Sequence, residues 1–204
     1  MAKLIGTDPN QVPTNADLGT AAYVDLEHAT SKNQIVQYLR DSSYAHSTYS
    51  LSASTELDLP LSVDITPKYA NSRVMIRIHW NMGHTGTNAD VGFAVRRDID
   101  SSSTGYVQGS GRADGTRGRF TVGSYTREPV WWMDDAPFTS QFSVISNSVL
   151  VMDDYSGTDT RTYTFTAGTG ATNRSLYWNR ETSTTNIGTY GGGNCSIEVM
   201  EIRQ

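Results

Sequence analysis

Apolar and polar residues alternate over two neighbouring stretches of the chain, 57–65 and 74–80. The apolar residues fall at every second position: Leu57, Leu59, Leu61, Val63 and Ile65 in the first stretch, and Val74, Ile76, Ile78 and Trp80 in the second. This period of two predicts strands that bury one face and expose the other, whereas a helix would scatter these residues around its circumference. Pro60 lies inside the first stretch and has no N–H to donate, so we expect that strand at a sheet edge or at a bulge.

Similar patterns, separated by turn residues, predict further strands along the rest of the chain. They lie at 91–95, 119–122, 129–133, 141–145, 149–152, 161–165, 175–179 and 195–202. The Ser- and Gly-rich stretch at 100–118 predicts a long loop or a weakly paired hairpin. Between Val199 and Met200 the alternation slips, which predicts a bulge or a strand buried on both faces. Together these features predict an all-β protein, an antiparallel β-sandwich of jelly-roll type or, as the second choice, an immunoglobulin-like sandwich.

One short helix is expected at 30–40. Thr30 or Ser31 can cap its first turn, and most of the residues that follow are good helix formers. About three turns are marginal in isolation, so such a helix must pack on its own sandwich or against another copy of the chain. In the second case the oligomer seam would consist of Ile35, Tyr38 and Leu39.

The first residues, 1–25, have the character of an extended arm, because proline and asparagine interrupt helices there and glycine interrupts strands. The apolar residues of the arm are spaced too widely for a core of their own: Leu4, Ile5, Val12, Leu18, Tyr23 and Val24. This apolar content favours an anchoring arm that lies on another surface. We therefore expect an arm at 1–25, a helix and linker at 26–47, and a sandwich head at 48–204 whose first and last strands, near Thr48 and Ile202, pair beside each other.

Charge and cysteine content narrow the set of partners. The formal net charge of −5 argues against a nucleic-acid partner, which demands a concentrated basic face. The local groups Arg96-Arg97 and Arg112, Arg117 and Arg119 are expected to be solvated. The single cysteine, Cys195, excludes an intrachain disulfide and suits a reducing cytoplasm. No apolar run approaches the ~20 residues of a membrane span, so we expect neither a secretory signal nor membrane insertion.

Candidate catalytic and metal-binding residues form no recognisable motif. The histidines do not cluster, and neither G-x-S-x-G nor H-E-x-x-H is present. Asp134-Asp135 and Asp153-Asp154 follow strands, as glycosidase carboxylates could, but adjacent strand residues face opposite ways and aspartate also suits turns. No ligand spacing supports a calcium site built from Asp98 and Asp100, or from Asp153, Asp154 and Asp159. We expect no catalytic residue, no metal and no cofactor.

Exposed aromatic residues are better candidates for recognition. Trp131 and Trp132 are adjacent in a predicted strand, so at most one of them can enter the core. The other could stack on a sugar ring or a partner protein, or it could fill a subunit contact or lie under the 100–118 loop. The candidate glycan or interface aromatics are Tyr106, Trp131, Trp132 and Tyr190, and Arg119 and Arg127 are candidates for bonds to an acidic sugar.

Two parts of the chain resemble known proteins. The arm at 4–23, LIGTDPNQVPTNADLGTAAY, resembles a segment of virion proteins of tailed phages, especially those that infect marine bacteria and cyanobacteria. Its LGTAA core resembles a short motif of phage tail fibres. The carboxyl half is similar to a small all-β domain that ends many such fibres, with matching features at 61–67, 72–76, 159–163, 177–180 and 195–202.

This resemblance implies a non-enzymatic phage virion structural protein of the tail-fibre, receptor-binding type. Such a protein is made in the host cytoplasm, displayed on the particle exterior and usually homotrimeric. Its arm would attach it to other virion proteins, and its head would contact a host surface glycan. Almost no shaft separates the arm from the head in this chain, which favours capsid decoration, as a cement or head-fibre protein, as the alternative. A polysaccharide depolymerase on the same scaffold is the second alternative, and a cellular carbohydrate-binding module is the third.

Overall fold

The computed structural model describes residues 33–84, 91–100, 103–107, 120–122, 125–127, 131–133, 145–169, 173–179 and 193–204. The described residues contain thirteen strands and no helix. In chain order the strands are β1 Ile35–Ser43, β2 Ser47–Leu51, β3 Glu56–Ile65, β4 Arg73–His84, β5 Val91–Ile99, β6 Ser103–Tyr106, β7 Phe120–Val122, β8 Tyr125–Arg127, β9 Trp131–Met133, β10 Ile145–Asp153, β11 Arg161–Thr169, β12 Arg174–Trp178 and β13 Cys195–Ile202.

The strands form two larger sheets and a hairpin, and every pairing among them is antiparallel. In sheet A the order is β1-β13-β4-β12-β2. β13 and β12 pair with successive parts of one edge of β4, at residues 73–79 and 82–84, and β10 pairs with its other edge. In sheet B the order is β3-β11-β5-β6, and β9 pairs with the beginning of β5, on the same edge as β6. Among the described strands, the short strands β7 and β8 pair with each other and with no other strand.

One hydrophobic core contains side chains from both large sheets. At its centre Trp80 of sheet A lies 5.6 Å from Phe93 and 5.0 Å from Phe165 of sheet B, measured between ring centroids. The apolar residues of the alternating stretches at 57–65 and 74–80 are buried in this core, with Leu57 partly buried at its edge. Both predicted strands are therefore confirmed, as β3 and β4.

Pro60 lies where its missing N–H costs least. Among the described strands, β3 pairs only with β11, so it is an edge strand. The register of the two strands also shifts between Thr164 and Thr166, opposite the segment that holds Pro60. Both features expected from a proline inside a strand are present.

The predicted helix at 30–40 is wrong from Ile35 onward, because this segment forms β1. There Leu39 is paired with Val199 of β13, and the ladder continues to the pair formed by Ser43 and Cys195. Helix propensities differ by only a few tenths of a kcal/mol among ordinary residues, so pairing with β13 overrides them. Residues 30–32 lie outside the described part of the chain.

The expected pairing of the strands near Thr48 and Ile202 is wrong. The last strand, β13, pairs with β1 and not with the segment near Thr48, which belongs to β2 and pairs with β12. The β domain therefore begins no later than Ile35, inside the segment 26–47 for which the sequence predicts a helix and linker.

The slip between Val199 and Met200 reflects a strand that is buried on both faces. No helix in the described part of the chain is long and apolar enough to cross a bilayer.

Candidate functional site

The outward face of sheet A carries a row of apolar side chains across four adjacent strands. Cross-strand partners in register have side chains on the same face. The row runs from β1 through β13 and β4 to β10 and consists of Tyr38, Met200, Met75 and Met152. Ile35 and Leu150 lie next to this row and, with Tyr38, Met75 and Met200, line one shallow depression. We call the five residues Ile35, Tyr38, Met75, Leu150 and Met200 the sheet A patch.

Three of these side chains are unusually exposed for their type. Relative exposure is 55% for Ile35, 51% for Tyr38 and 54% for Leu150. Among the described residues only Tyr44 joins them as a large hydrophobic side chain of comparable exposure. Large apolar side chains that gather on one face, and are not scattered over the surface, mark an interaction site.

A charged row borders the sheet A patch. Arg77 donates to Glu198 at 2.5 Å across β4 and β13, and Arg40 stands opposite Glu198 on the edge strand β1. Beyond this row, Ser148, Ser196 and His79 line a second, polar depression. The outward face of sheet A thus passes from apolar to charged to polar along its strands.

The outward face of sheet B is charged and polar around Arg96, where β3, β11, β5 and β6 lie side by side. Arg96 binds both carboxylate oxygens of Asp58 and donates to Asp98 at 2.9 Å. The remaining contacts on this face are hydroxyl pairs and hydroxyl–carboxylate bonds between neighbouring strands: Ser62 with Thr164 at 3.2 Å, and Thr162 with Asp64 at 2.7 Å. These groups satisfy one another. Further along the same face Ala94 and Thr166 are fully buried, so that part of the face is covered.

Tyr106, a candidate glycan contact, belongs to this polar face. It is half-buried in β6, opposite Arg96, and its hydroxyl donates to Glu56 at 2.7 Å. Burial raises the pKa of Tyr106 to about 12. The hydroxyl is thus engaged within the chain.

A buried polar cluster joins the two sheets at one end of the core. Asp153 of β10 accepts hydrogen bonds from Arg97 at 2.5 Å and from the Tyr163 hydroxyl at 2.7 Å, both in sheet B. Two guanidinium groups contact the Tyr155 ring, with the Cζ atoms of Arg97 and Arg161 at 4.5 and 4.7 Å from its centroid. Burial, followed by the charge and hydrogen bond of Asp153, raises the pKa of Tyr163. Asp153 of sheet A and its partners Arg97 and Tyr163 of sheet B thus tie the two sheets together.

Three of the candidate catalytic and calcium-binding aspartates, Asp98, Asp153 and Asp154, have structural partners. Asp153 is buried in the cluster just described, whereas Asp154 is exposed and accepts from Arg73 at 2.6 Å. The two carboxylates therefore do not act on one site. Asp98 accepts from Arg96, and the described residues contain no group of three potential metal ligands. Asp134-Asp135 lie outside the described residues.

The proposed seam residues do not share one face. Ile35 and Tyr38 are exposed, whereas Leu39 is partly buried and packs against the core. A register shift between Ile35 and Gln37 changes the parity along β1 and separates Ile35 from Leu39. Two of the three seam positions thus belong to the sheet A patch.

Several other candidate residues are placed only in part. Trp131 and Trp132 lie in β9, in register with Phe93 and Gly92 of β5. Arg96 and Arg97, which were expected to be solvated, are each paired with an aspartate: Arg96 with Asp98 and Arg97 with Asp153. Outside the described residues lie the arm positions Leu4, Ile5, Val12, Leu18, Tyr23 and Val24, together with Tyr190, Arg112, Arg117 and Arg119.

Met75, Leu150 and Met200 are the residues of the sheet A patch that sequence reasoning missed. Each is an apolar residue at a position where alternation would place a polar one. Met75 lies between Val74 and Ile76, and Leu150 lies between two valines. An apolar residue at an outward position of an alternating strand is therefore the signal that could have found them. The slip noted at Met200 is the same signal.

No protein-family model matches this sequence, and none of the curated proteins compared with it matches.

Proposed function

We propose that this chain is a non-enzymatic structural protein of a phage particle, displayed on the exterior, of the tail-fibre, receptor-binding type. In this proposal the arm at 1–25 attaches the protein to other virion proteins, and the β domain projects as a compact, homo-oligomeric head, most simply a trimer. The head contacts the host surface glycan. Neither a metal nor a cofactor takes part.

The strand order is the observation that carries the proposal, because it fits a jelly roll. Eight strands, β1, β3, β4, β5, β9, β10, β11 and β13, can be numbered one to eight in chain order. Sheet A then contains them in the order one-eight-three-six, and sheet B in the order two-seven-four-five. This is the arrangement of two Greek keys wrapped into a double-sheet jelly roll, an architecture of viral capsid and lectin domains.

Fold alone does not assign a function, so the proposal also draws on the arm and on the surface. The arm at 4–23 resembles phage virion proteins. Asp98, Asp153 and Asp154 are engaged in structural bonds, which supports a non-enzymatic role. The exposed sheet A patch supports assembly, since assembled proteins place apolar surface at their contacts.

Labelling of intact particles tests the proposal. An antibody raised against the purified chain, followed by gold labelling and electron microscopy, should mark the tail tips of the phage that encodes it. Labelling over the whole capsid would contradict the tail-fibre role and support decoration instead. Particles that carry no label, although the protein is produced in the infected cell, would contradict a virion role altogether.

Two companion experiments separate the remaining possibilities. Deletion of residues 1–25 should prevent incorporation into particles, and normal incorporation of the shortened chain would refute the anchoring role. Incubation of the protein with host capsule or lipopolysaccharide should release no new reducing ends. A steady release would favour the depolymerase.

A further inference from the structure

We infer that copies of this chain contact one another through the outward face of sheet A, with the sheet A patch at the centre of the contact. The inference rests on the proposed homo-oligomeric head and names the surface that would build it. The occupant of the patch is therefore a second copy of the same chain.

The first support is the concentration of apolar side chains at one place. In the described residues, three of the four most exposed large hydrophobic side chains lie in the patch: Ile35, Tyr38 and Leu150. Register joins Tyr38, Met200, Met75 and Met152 into an apolar row across four strands. Leu150 lies beside this row, in register with Arg77. Methionine and tyrosine are also enriched at protein interfaces.

The second support is the contrast between the two sheets. The outward face of sheet B is occupied by Arg96, Asp58, Asp98 and a series of hydroxyl groups that bond to one another. None of the large hydrophobic side chains that are exposed among the described residues lies on this face. Copies that bury the sheet A patch against each other leave the charged groups around Arg96 in solvent.

The third support is the size and layout of the face. Strands β1 and β10, which border it, each have nine residues. Four adjacent strands of this length cover roughly 19 Å by 30 Å, or about 570 Å² in plan, and the side chains add relief. A stable interface uses ~800 Å² of accessible surface from each partner, so the face has the order of size that a contact between copies needs. Arg40 lies on the edge strand, where an interface has its polar rim.

The mass of the full-length protein in solution tests this inference. Light scattering or sedimentation at micromolar concentration should give a multiple of the chain mass of 22.4 kDa. Leu150→Arg adds a second positive charge beside Arg77, at the β10 side of the patch. It should weaken association about 30-fold or more, leaving monomers. Because Leu150 is exposed, the substitution should not prevent folding, which far-UV circular dichroism checks. Tyr38→Glu is a second variant with the same expected result.

The matched control is Ser62→Arg, which adds the same side chain at an exposed position on the outward face of sheet B. It should retain the mass of the unaltered chain. A monomeric unaltered chain would overturn the inference, including the case in which hydrogen exchange shows the patch covered by residues 1–32 of the same chain. An oligomer that withstands both patch variants, or that Ser62→Arg dissociates equally, would also overturn it. An oligomer built as inferred but absent from particles would instead refute the proposed function alone.

Discussion

Glu201 holds the turn between β3 and β4 through the backbone of Lys68. Its two carboxylate oxygens accept from the Lys68 amide at 2.9 and 3.0 Å, and one of them also accepts from the Tyr69 amide at 3.0 Å. The Ser72 hydroxyl donates to the same carboxylate at 2.5 Å. Glu201 is fully buried on β13, and its carboxylate supplies hydrogen-bond acceptors to the backbone of this turn.

Replacement of Glu201 by glutamine should therefore destabilise the protein. Glu201→Gln keeps the size of the side chain but turns one acceptor into an N–H group that faces backbone donors. We expect a loss of about 2–3 kcal/mol in the free energy of unfolding. Urea denaturation measures it as a lower midpoint with an unchanged slope. Asp64→Asn, at an exposed carboxylate that accepts from Thr162, is the control and should change stability by less than about 1 kcal/mol. Equal effects of the two variants would contradict this role of Glu201.

Asp153→Asn should be the most damaging substitution in the polar cluster between the sheets. It removes the negative charge that compensates Arg97, whose side chain is only 15% exposed. Breaking a buried ion pair from one side costs about 3–5 kcal/mol, because the remaining charge stays buried. Thermal unfolding followed by circular dichroism measures the loss. The neighbouring Asp154→Asn breaks an exposed pair with Arg73 and should cost no more than about 1 kcal/mol. If the two variants unfold alike, Asp153 does not hold the sheets together.

Cys195 should be chemically inert in the folded protein. The thiol is fully buried, and burial raises its pKa to about 11. A disulfide reagent at pH 8 should leave the native protein unmodified and react fully once guanidinium unfolds it.

The same shift makes stability depend on pH. The thiol loses its proton near pH 9 in the unfolded chain but only near pH 11 in the folded one. Its contribution to stability is complete below pH 9 and is lost as the pH rises toward 11. Cys195→Ala should remove this part of the pH dependence. Rapid labelling of the folded protein at pH 8 would contradict the burial of the thiol.

Alternation in the sequence correctly predicts the strands whose two faces differ most in polarity. In β3 and β4 one face is apolar and the other polar, so alternation alone reveals them, and Pro60 identifies the edge. In β1 the register shift between Ile35 and Gln37 breaks the alternation. Ile35 and Leu39 are also four residues apart, a spacing that places residues on one face of a helix as well as of a regular strand. Local reasoning therefore chose the wrong element there.

The sheet A patch could not be predicted from the sequence in the same way. Tyr38, Met75, Leu150 and Met200 are single apolar residues at outward positions of four strands that lie far apart in the chain. Only the strand order β1-β13-β4-β10 brings them together, and that order depends on long-range pairing. Glu201 is hidden for the same reason, since its acceptors become useful only when the turn at 67–72 folds over β13.

Cross-linking through introduced thiols tests most directly that copies of the chain meet at the sheet A patch. Cys195 is the only cysteine in the chain and is buried, so Leu150→Cys and Ser62→Cys each introduce one accessible thiol. A short bismaleimide, followed by a denaturing gel, should give covalent dimers from Leu150→Cys and only monomers from Ser62→Cys. Monomers from Leu150→Cys, with or without dimers from Ser62→Cys, would contradict assembly through sheet A.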